Sequence, residues 1–345
     1  MNRHADTGGA DFEQKLDAAS MTPLWTILSA LVTKEPKSGC LPVHWRYEET
    51  RPLLMEAGQR VTAQEAERRV LILENPGLRG QSRVTTSLYA GLQLVLPGEV
   101  APPHRHSQSA LRFVLEGSGA HTTVNGVRAY MEPGDLVLTP AGTWHDHGNE
   151  SESPMIWLDG LDIPVASFLD ASFAENSEEE AQPVKGTSDD SIATFGENLM
   201  PVDYVPESAS SPVFVYPYAR ARAALARMVE RGDLDPCHGA KMRYINPNGG
   251  APMPTIGAFI QMLPEGFRTA SYRSTDATIY VAVEGSGRTR IGDQTFTWSE
   301  RDVFVVPSWH WVSHEAASQN AVLFSYSDRP IQQVLGFWRQ DRGNA

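Results

Sequence analysis

The stretch Pro102–Gly119, PPHRHSQSALRFVLEGSG, decides how the chain is read. It sets His104 and His106 one residue apart, adds a polar step, then runs into an apolar segment that carries Arg112. In a strand alternate side chains share a face, so His104 and His106 point together, as do Ala110 and Arg112 where no bulge intervenes. Downstream, GDLVLTPAGTWHDHGN (134–149) puts His145 and His147 on one face by the same rule. The close pair and a histidine from a later strand can converge inside a small barrel. Three imidazoles converging in an apolar interior serve to hold a divalent transition metal.

Around this stretch the texture is one of short strands cut by Gly and Pro. LYAGLQLVL, ALRFVLEG, AHTTVNG, DLVLTP and PMIWLDGL follow one another from about Ser82, the spacing of an all-β sandwich or barrel. After Ala251 the texture returns as an internal repeat. FVLEGSGAHTTVNG (113–126) answers to VAVEGSGRTRIGD (281–293), and GDLVLTPAGTWHDH (134–147) to RDVFVVPSWHWVSH (301–314). Glu116 and Glu284 lie 168 residues apart, Pro140 and Pro307 167 apart. The chain therefore holds two copies of one β module.

The second copy has lost the histidines. Ser271 and Arg273, or Tyr272 and Ser274 under a one-residue slip, answer to His104 and His106; Val312 answers to His145. His314 matches His147, and His310 falls where Thr143 stands. The second module is read as structural, the alternative being a surviving site built from His310 and His314.

The rest of the chain frames the modules. Residues 1–80 read as a mostly helical arm, with DFEQKLDAA, PLWTILSALV and AQEAERRVLILE as helices. The last opens on the capping-box spacing of Thr62 and Glu65 and stops at Asn75-Pro76-Gly77. Residues 81–172 form the metal-binding module. Residues 173–250 are a solvated acidic linker (AENSEEEAQPVKGTSDD) with the helix YARARAALARMVERG ending at Gly232, and 251–345 the degenerate second module with its tail.

Composition bounds the partners. The 345 residues carry a net charge of −13, which argues against nucleic acid and means that local cations must draw in any anionic substrate. Cys40 and Cys237 form no C-x-x-C pair, the N-terminus lacks the apolar core of a leader, and no run has the apolar length of a membrane span. A cytoplasmic protein with no membrane partner is expected.

The histidine motifs resemble those of the cupins. Gly98, His104, His106 and Gly117 match the first cupin motif; Gly134, Pro140, Gly142, His145 and Asn149 match every position of the second, G-x5-P-x-G-x2-H-x3-N. The resemblance names His104, His106 and His145 as ligands. It also exposes a departure, because Ala110 stands near the place where most cupins put a ligating Glu. Three neutral imidazoles leave a metal(II) ion its full charge, which suits an anionic chelating substrate and leaves positions for dioxygen.

With WLDGLDIP (157–164), these segments are similar to the gentisate 1,2-dioxygenases, grouped with the salicylate and 1-hydroxy-2-naphthoate dioxygenases. The resemblance implies a bicupin, one Fe(2+) per subunit in the N-terminal module, a homotetramer, and opening of gentisate between its carboxyl-bearing and ortho-hydroxylated carbons to give maleylpyruvate. It implies that Arg112 holds the substrate carboxylate, the alternatives being that it reaches the rim or pairs with Asp159. His147 then handles a proton or the oxygen, Gln93 and Asp159 line the cavity, and Asp159 meets the second ring hydroxyl. Tyr89 shares the parity of Gln93, and Arg68 or Arg69 reaches in from the arm, against the alternative of a solvated helix face. Trp144 and Trp157 are read as core. The rival readings are the same chemistry on salicylate or 1-hydroxy-2-naphthoate, a non-catalytic bicupin, and a zinc-dependent one.

Overall fold

Strands buried on both faces lose the apolar/polar alternation of a surface sheet and read as near-continuous apolar runs. LRFVLE, MIWLDGL, TIYVAVE and AVLFSYS are such runs, and they become the middle strands of two large sheets. In a computed structural model the described residues are 9–197 and 199–343; the first eight residues of the N-terminus expected to lack a leader, Asn198 and the last two residues lie outside them.

The described residues up to Lys37 make a unit of their own, with helices α1 (Gly9–Ala18) and α2 (Leu24–Leu31). No residue of α2 is buried, and Trp25 is 74% exposed. The second unit opens with β1 (Val43–Trp45), α3 (Tyr47–Arg60), α4 (Ala63–Ala66) and β2 (Val70–Ile72). The first module follows: β3 (Tyr89–Val95), β4 (Val100–His106), β5 (Ala110–Glu116), β6 (Ala120–Val124), β7 (Val127–Met131), β8 (Leu136–Thr139), β9 (His145–Asn149) and β10 (Met155–Leu161). The connector holds α5 (Ile163–Phe168), β11 (Ala174–Asn176), α6 (Asp190–Phe195), β12 (Val215–Tyr216), α7 (Tyr218–Arg231) and β13 (Ala240–Arg243). The second module is β14 (Gly257–Leu263), β15 (Tyr272–Ser274), β16 (Thr278–Glu284), β17 (Gly287–Ile291), β18 (Gln294–Trp298), β19 (Val303–Val306), β20 (Val312–Ala316) and β21 (Ala321–Ser327), closed by α8 (Arg329–Val334) and β22 (Gln340–Arg342).

Each module is a cupin of two facing sheets, and the strand orders correspond one for one. The six-stranded sheets run β12-β8-β5-β10-β3-β2 and β1-β19-β16-β21-β14-β13; the five-stranded sheets run β11-β4-β9-β6-β7 and β18-β17-β20-β15-β22. The modules also exchange strands. The segment before module one lends β1 to module two, where Val43 pairs with Val305, and the segment before module two lends β12 to module one, where Val215 pairs with Val137.

The helices after these strands repeat the exchange. The Tyr47 N–H donates to Asp302 of module two at 2.7 Å, while the Tyr47 hydroxyl and the Arg51 guanidinium bind Glu116 of module one. In the mirror arrangement the Tyr218 N–H donates to Asp135 at 2.8 Å, and Tyr218 and Arg222 bind Glu284. Glu116 and Glu284 thus anchor helices, and the glycines after them, Gly117 and Gly285, take φ of +89° and +73° in the turn that follows.

One apolar core joins the outer faces of the two six-stranded sheets, with Phe113 stacked on Phe324 at 4.0 Å between centroids. A second fills module two around Trp298, Tyr280 and Phe304; a smaller one fills the apolar end of module one around Val114, Met131 and Trp157.

Two local expectations are corrected. The Thr62–Glu65 capping box forms, but its helix ends at Ala66: Glu67 turns out at φ +53°, and the aliphatic VLI at 70–72 pairs with β3 instead. The acidic linker is not wholly solvated. Its residues 174–176 pair with β4, Asn176 opposite His104 and Ala174 opposite His106, which gives the edge of the histidine strand its ladder partners.

Candidate metal centre and active site

β4 and β9 are antiparallel neighbours with His104 opposite His145, so the close pair and the single histidine meet across one ladder. The ligand nitrogens of His104, His106 and His145 all lie within 4.8 Å of one another, and among the described residues no other group of three His, Cys, Asp or Glu comes together in this way. Each Nδ1 bonds a main-chain carbonyl two residues away: Pro102 at 3.0 Å, Gln108 at 2.9 Å and Thr143 at 3.0 Å. A carbonyl can only accept, so Nδ1 carries the proton and the lone pair sits on Nε2. Nε2 of His104 and of His145 is buried without a partner. Burial also keeps the rings neutral, pushing His104 down to about 3, His106 to about 4 and His145 well below its ordinary value. Neutral imidazoles with unpartnered converging lone pairs are the donor set a transition metal requires, and the residues fit one.

The facing sheet supplies charge. On β5 and β10, Arg112 stands opposite Asp159 with both side chains inside. Arg112 Nε lies 3.5 Å from Asp159 Oδ1, an ion pair without a hydrogen bond, and its Nη1 donates to Thr139. Asp159 Oδ1 also accepts from Trp157 Nε1 at 2.9 Å. Burial outweighs the pairing: it brings Arg112 down to about 10 and raises Asp159 to about 6. Both expectations for Arg112 are therefore compatible, since it has Asp159 beside it and an Nε still unbonded.

The arm supplies a second cation. Arg69 is buried and clamps Glu99 through both terminal nitrogens, a structural pair. Arg68 is the one that faces the site. Its residue is exposed, yet desolvation on the side facing the site lowers its pKa, and its charge reaches Asp159, Tyr89, His104 and His106. With Arg68 and Arg112 positive and Asp159 negative, the protein side of the site carries one net positive charge before any metal is counted. Gln93, buried on β3 beside Val70 and Trp157, has the same inward parity as Val95 of the module's interior core.

His147 points inward next to His145, its ring 5.5 Å from Trp157. Its Nδ1 meets the Thr122 hydroxyl at 2.9 Å, and its buried Nε2 has no partner. Thr122 and Thr139 are residues that sequence reading does not reach. Trp157 lies in the core, as expected, and from there its Nε1 also holds Asp159, two residues along the same strand.

Register settles the second module. Tyr272 pairs with Val312 as His104 pairs with His145, so Tyr272, Ser274 and Val312 stand at the three ligand positions. His314 keeps the companion of His147, bonding Thr289 through Nδ1 at 2.8 Å as His147 bonds Thr122.

The second module nevertheless supports the first. Asp162 accepts the Ser109 N–H at 2.9 Å, next to the Gln108 carbonyl that orients His106, and also accepts the hydroxyl of Thr255 from module two. Asp328 mirrors it, accepting the Ala277 N–H at 3.1 Å and the Ser87 hydroxyl of module one at 2.7 Å. Tyr326 of module two donates to the Tyr89 carbonyl at 3.1 Å and packs where a Cβ on Gly160 would collide with it.

Comparison with known proteins agrees with this geometry. Residues 91–161 match the Cupin domain family. The chain is 58% identical over 333 residues to gentisate 1,2 dioxygenase 1 of Aquipseudomonas alcaligenes, covering 96% of each. It is 37% identical to the 5-aminosalicylate 1,2-dioxygenase of a Comamonas species, over 95% of this chain and 91% of the relative. Among solved structures, the gentisate adduct of salicylate 1,2-dioxygenase from Pseudoaminobacter salicylatoxidans superposes with a TM-score of 0.93 at 34% identity, covering 99% of this chain and 96% of the other.

Proposed function

The chain belongs to the gentisate 1,2-dioxygenase family of bicupin ring-cleaving dioxygenases, and from that premise we propose how its residues divide the work on gentisate. It opens the ring between the carboxyl-bearing and ortho-hydroxylated carbons to give maleylpyruvate. The observation that carries the reading is the set of three neutral, converging imidazoles facing a wall of net positive charge.

The metal is ferrous iron, one per subunit, held by His104, His106 and His145. When bound there, iron(II) supplies the electron density through which dioxygen overcomes its spin barrier and reacts with the ring. The remaining groups bind and orient. Arg112 directs its unbonded Nε, and Arg68 its charge, at the substrate carboxylate, in a desolvated site where such contacts are strong. Asp159 accepts a hydrogen bond from the second ring hydroxyl, the group that distinguishes gentisate from salicylate. Tyr89 and Gln93 close the same wall. His147 presents Nε2 to the ortho hydroxyl or the oxygen and hands the proton on, with Thr122 fixing its ring.

The same reading places the enzyme in the cytoplasm as a homotetramer, and the uncovered apolar residues of α2 support contact with another copy. No helix among the described residues is long and apolar enough to cross a membrane. The test is a substrate panel in an oxygen electrode with freshly loaded ferrous protein. Gentisate should consume one dioxygen per molecule and give the ring-opened product, faster than salicylate or 1-hydroxy-2-naphthoate. Oxygen uptake with none of them would overturn the assignment, and equal turnover of salicylate would remove the role given to Asp159.

A further inference from the structure

The ligand positions of the second module have been rebuilt with the opposite polarity. Behind Tyr272, Ser274 and Val312 lies a mostly enclosed cavity of about 10 Å³, also lined by Lys241, Asp276, Tyr280, His310 and Arg329. That volume is room for a single small guest. Its charged groups are two cations, Lys241 and Arg329, and one carboxylate, Asp276, unlike the neutral acceptor nitrogens at the corresponding place in module one.

The charges do not cancel. Arg329 Nε lies 3.1 Å from Asp276 Oδ2 and its Nη2 donates to the Tyr272 hydroxyl at 3.3 Å; Asp276 also accepts from Trp338 Nε1 at 2.8 Å. Asp276 is therefore already matched by Arg329. Lys241 springs from β13 with its ammonium over the rings of Phe259 and Tyr280, 5.4 and 5.8 Å from their centroids. It makes no hydrogen bond or ion pair among the described residues, and neither does the Tyr280 hydroxyl. The nearby histidines add no counter-charge: burial lowers His238 to about 2 and His314 to about 3. Asp235, the other carboxylate that Lys241 senses, is paired with Arg342 at 2.8 Å. Opposite Lys241 in the ladder, Gln261 has both amide atoms buried without partners. A desolvated ammonium with no counter-ion either gives up its proton or recruits an anion.

We propose that the second module holds one small monovalent anion of halide size, bound by the Lys241 ammonium and the Tyr280 hydroxyl in the space that corresponds to the metal site of module one. Burial, with Arg329 adding to it, brings Lys241 down to about 7 against the pull of Asp276 and Asp235, and the anion keeps it charged. The size of the cavity excludes sulfate and carboxylates, and abundant chloride is the natural occupant.

The test uses the full chain, metal-loaded, at constant ionic strength. Replacing sulfate by chloride or bromide should raise the melting midpoint by on the order of 2 °C once the halide is tenfold above its dissociation constant. Lys241→Met should abolish that response and leave gentisate-dependent oxygen uptake unchanged. Wild-type crystals grown in bromide should give an anomalous peak in contact with Lys241 Nζ, a readout that does not depend on the variant folding. An equal halide response in the variant, no response in the wild type, or bromide peaks confined to the protein surface would overturn the proposal.

Discussion

The two modules share every strand, both exchanged arms and both helix anchors, and differ at a few inward positions. Where module one has His104, His106, His145 and Arg112, module two has Tyr272, Ser274, Val312 and Tyr280. The His147–Thr122 pair survives as His314–Thr289. The comparison teaches that the cupin frame and the metal centre are separable: the frame rests on apolar faces and reciprocal anchors, the centre on three side chains that can be replaced without disturbing it. It also teaches that the module without ligands still acts on the site, through Thr255 and Tyr326.

The sharpest way to break the comparison is to remove equivalent imidazoles. His145→Ala should abolish metal retention and oxygen uptake. His314→Ala should leave both intact and cost about 1–3 kcal/mol of stability in urea melts, the usual cost of orphaning buried hydrogen-bond partners. Loss of metal from the His314 variant would mean that the modules are not functionally distinct.

Next is the Arg112–Asp159 pair, whose place module two fills with Tyr280 and Ser325. Arg112→Ala should raise KM for gentisate by roughly 10- to 100-fold, the value of a hydrogen bond to a charged group, with metal content unchanged. Loss of metal instead would assign Arg112 to scaffolding.

The partner of Arg112 gives a pH prediction. Asp159, raised to about 6, binds its proton more tightly in the folded state than in the unfolded chain. Its contribution to stability is therefore complete below about pH 4 and is lost as the pH rises through 6. Asp159→Asn stays neutral, so the variant should gain on the wild type between pH 4 and 7, by about 3 kcal/mol at most. Urea midpoints of metal-free protein measure this, and a difference independent of pH would contradict the burial of the charge.

The smallest expected effect concerns the latches. Thr255→Val and Ser87→Ala each remove a hydroxyl from a buried carboxylate and should cost similar stability, about 1–2 kcal/mol. Only Thr255→Val should also weaken metal binding, by up to about tenfold, because its carboxylate holds the turn beside His106. Equal metal affinity in the two variants would reduce the Asp162 latch to a plain inter-module bond.

Much of this was legible in the chain itself. Strand parity gave the facing of His104, His106 and His145, and the offset of Glu116 and Glu284 gave the duplication. The arms were harder. VHWRYEETR (43–51) and FVYPYARAR (214–222) carry the same Tyr-x3-Arg spacing, but each segment pairs its strand with one module and binds a glutamate of the other through its Tyr and Arg, a relation that no local pattern encodes. Thr62 and Glu65 signalled a helix start correctly, while the length of the helix was decided by pairing of Val70 with Gln93. Arg68 and Arg69 are adjacent in sequence, and Glu99, far along the chain, determines which of them is left for the site. The ion pair of Arg112 and Asp159 likewise depends on which strands become neighbours.

The central claim is one metal per chain, in module one, doing the chemistry. Metal-free protein titrated anaerobically with ferrous iron and then assayed for gentisate-dependent oxygen uptake tests it directly. The account predicts uptake that rises linearly and breaks at one iron per chain. A break at two irons per chain, or full uptake without added iron in metal-free protein, would contradict it.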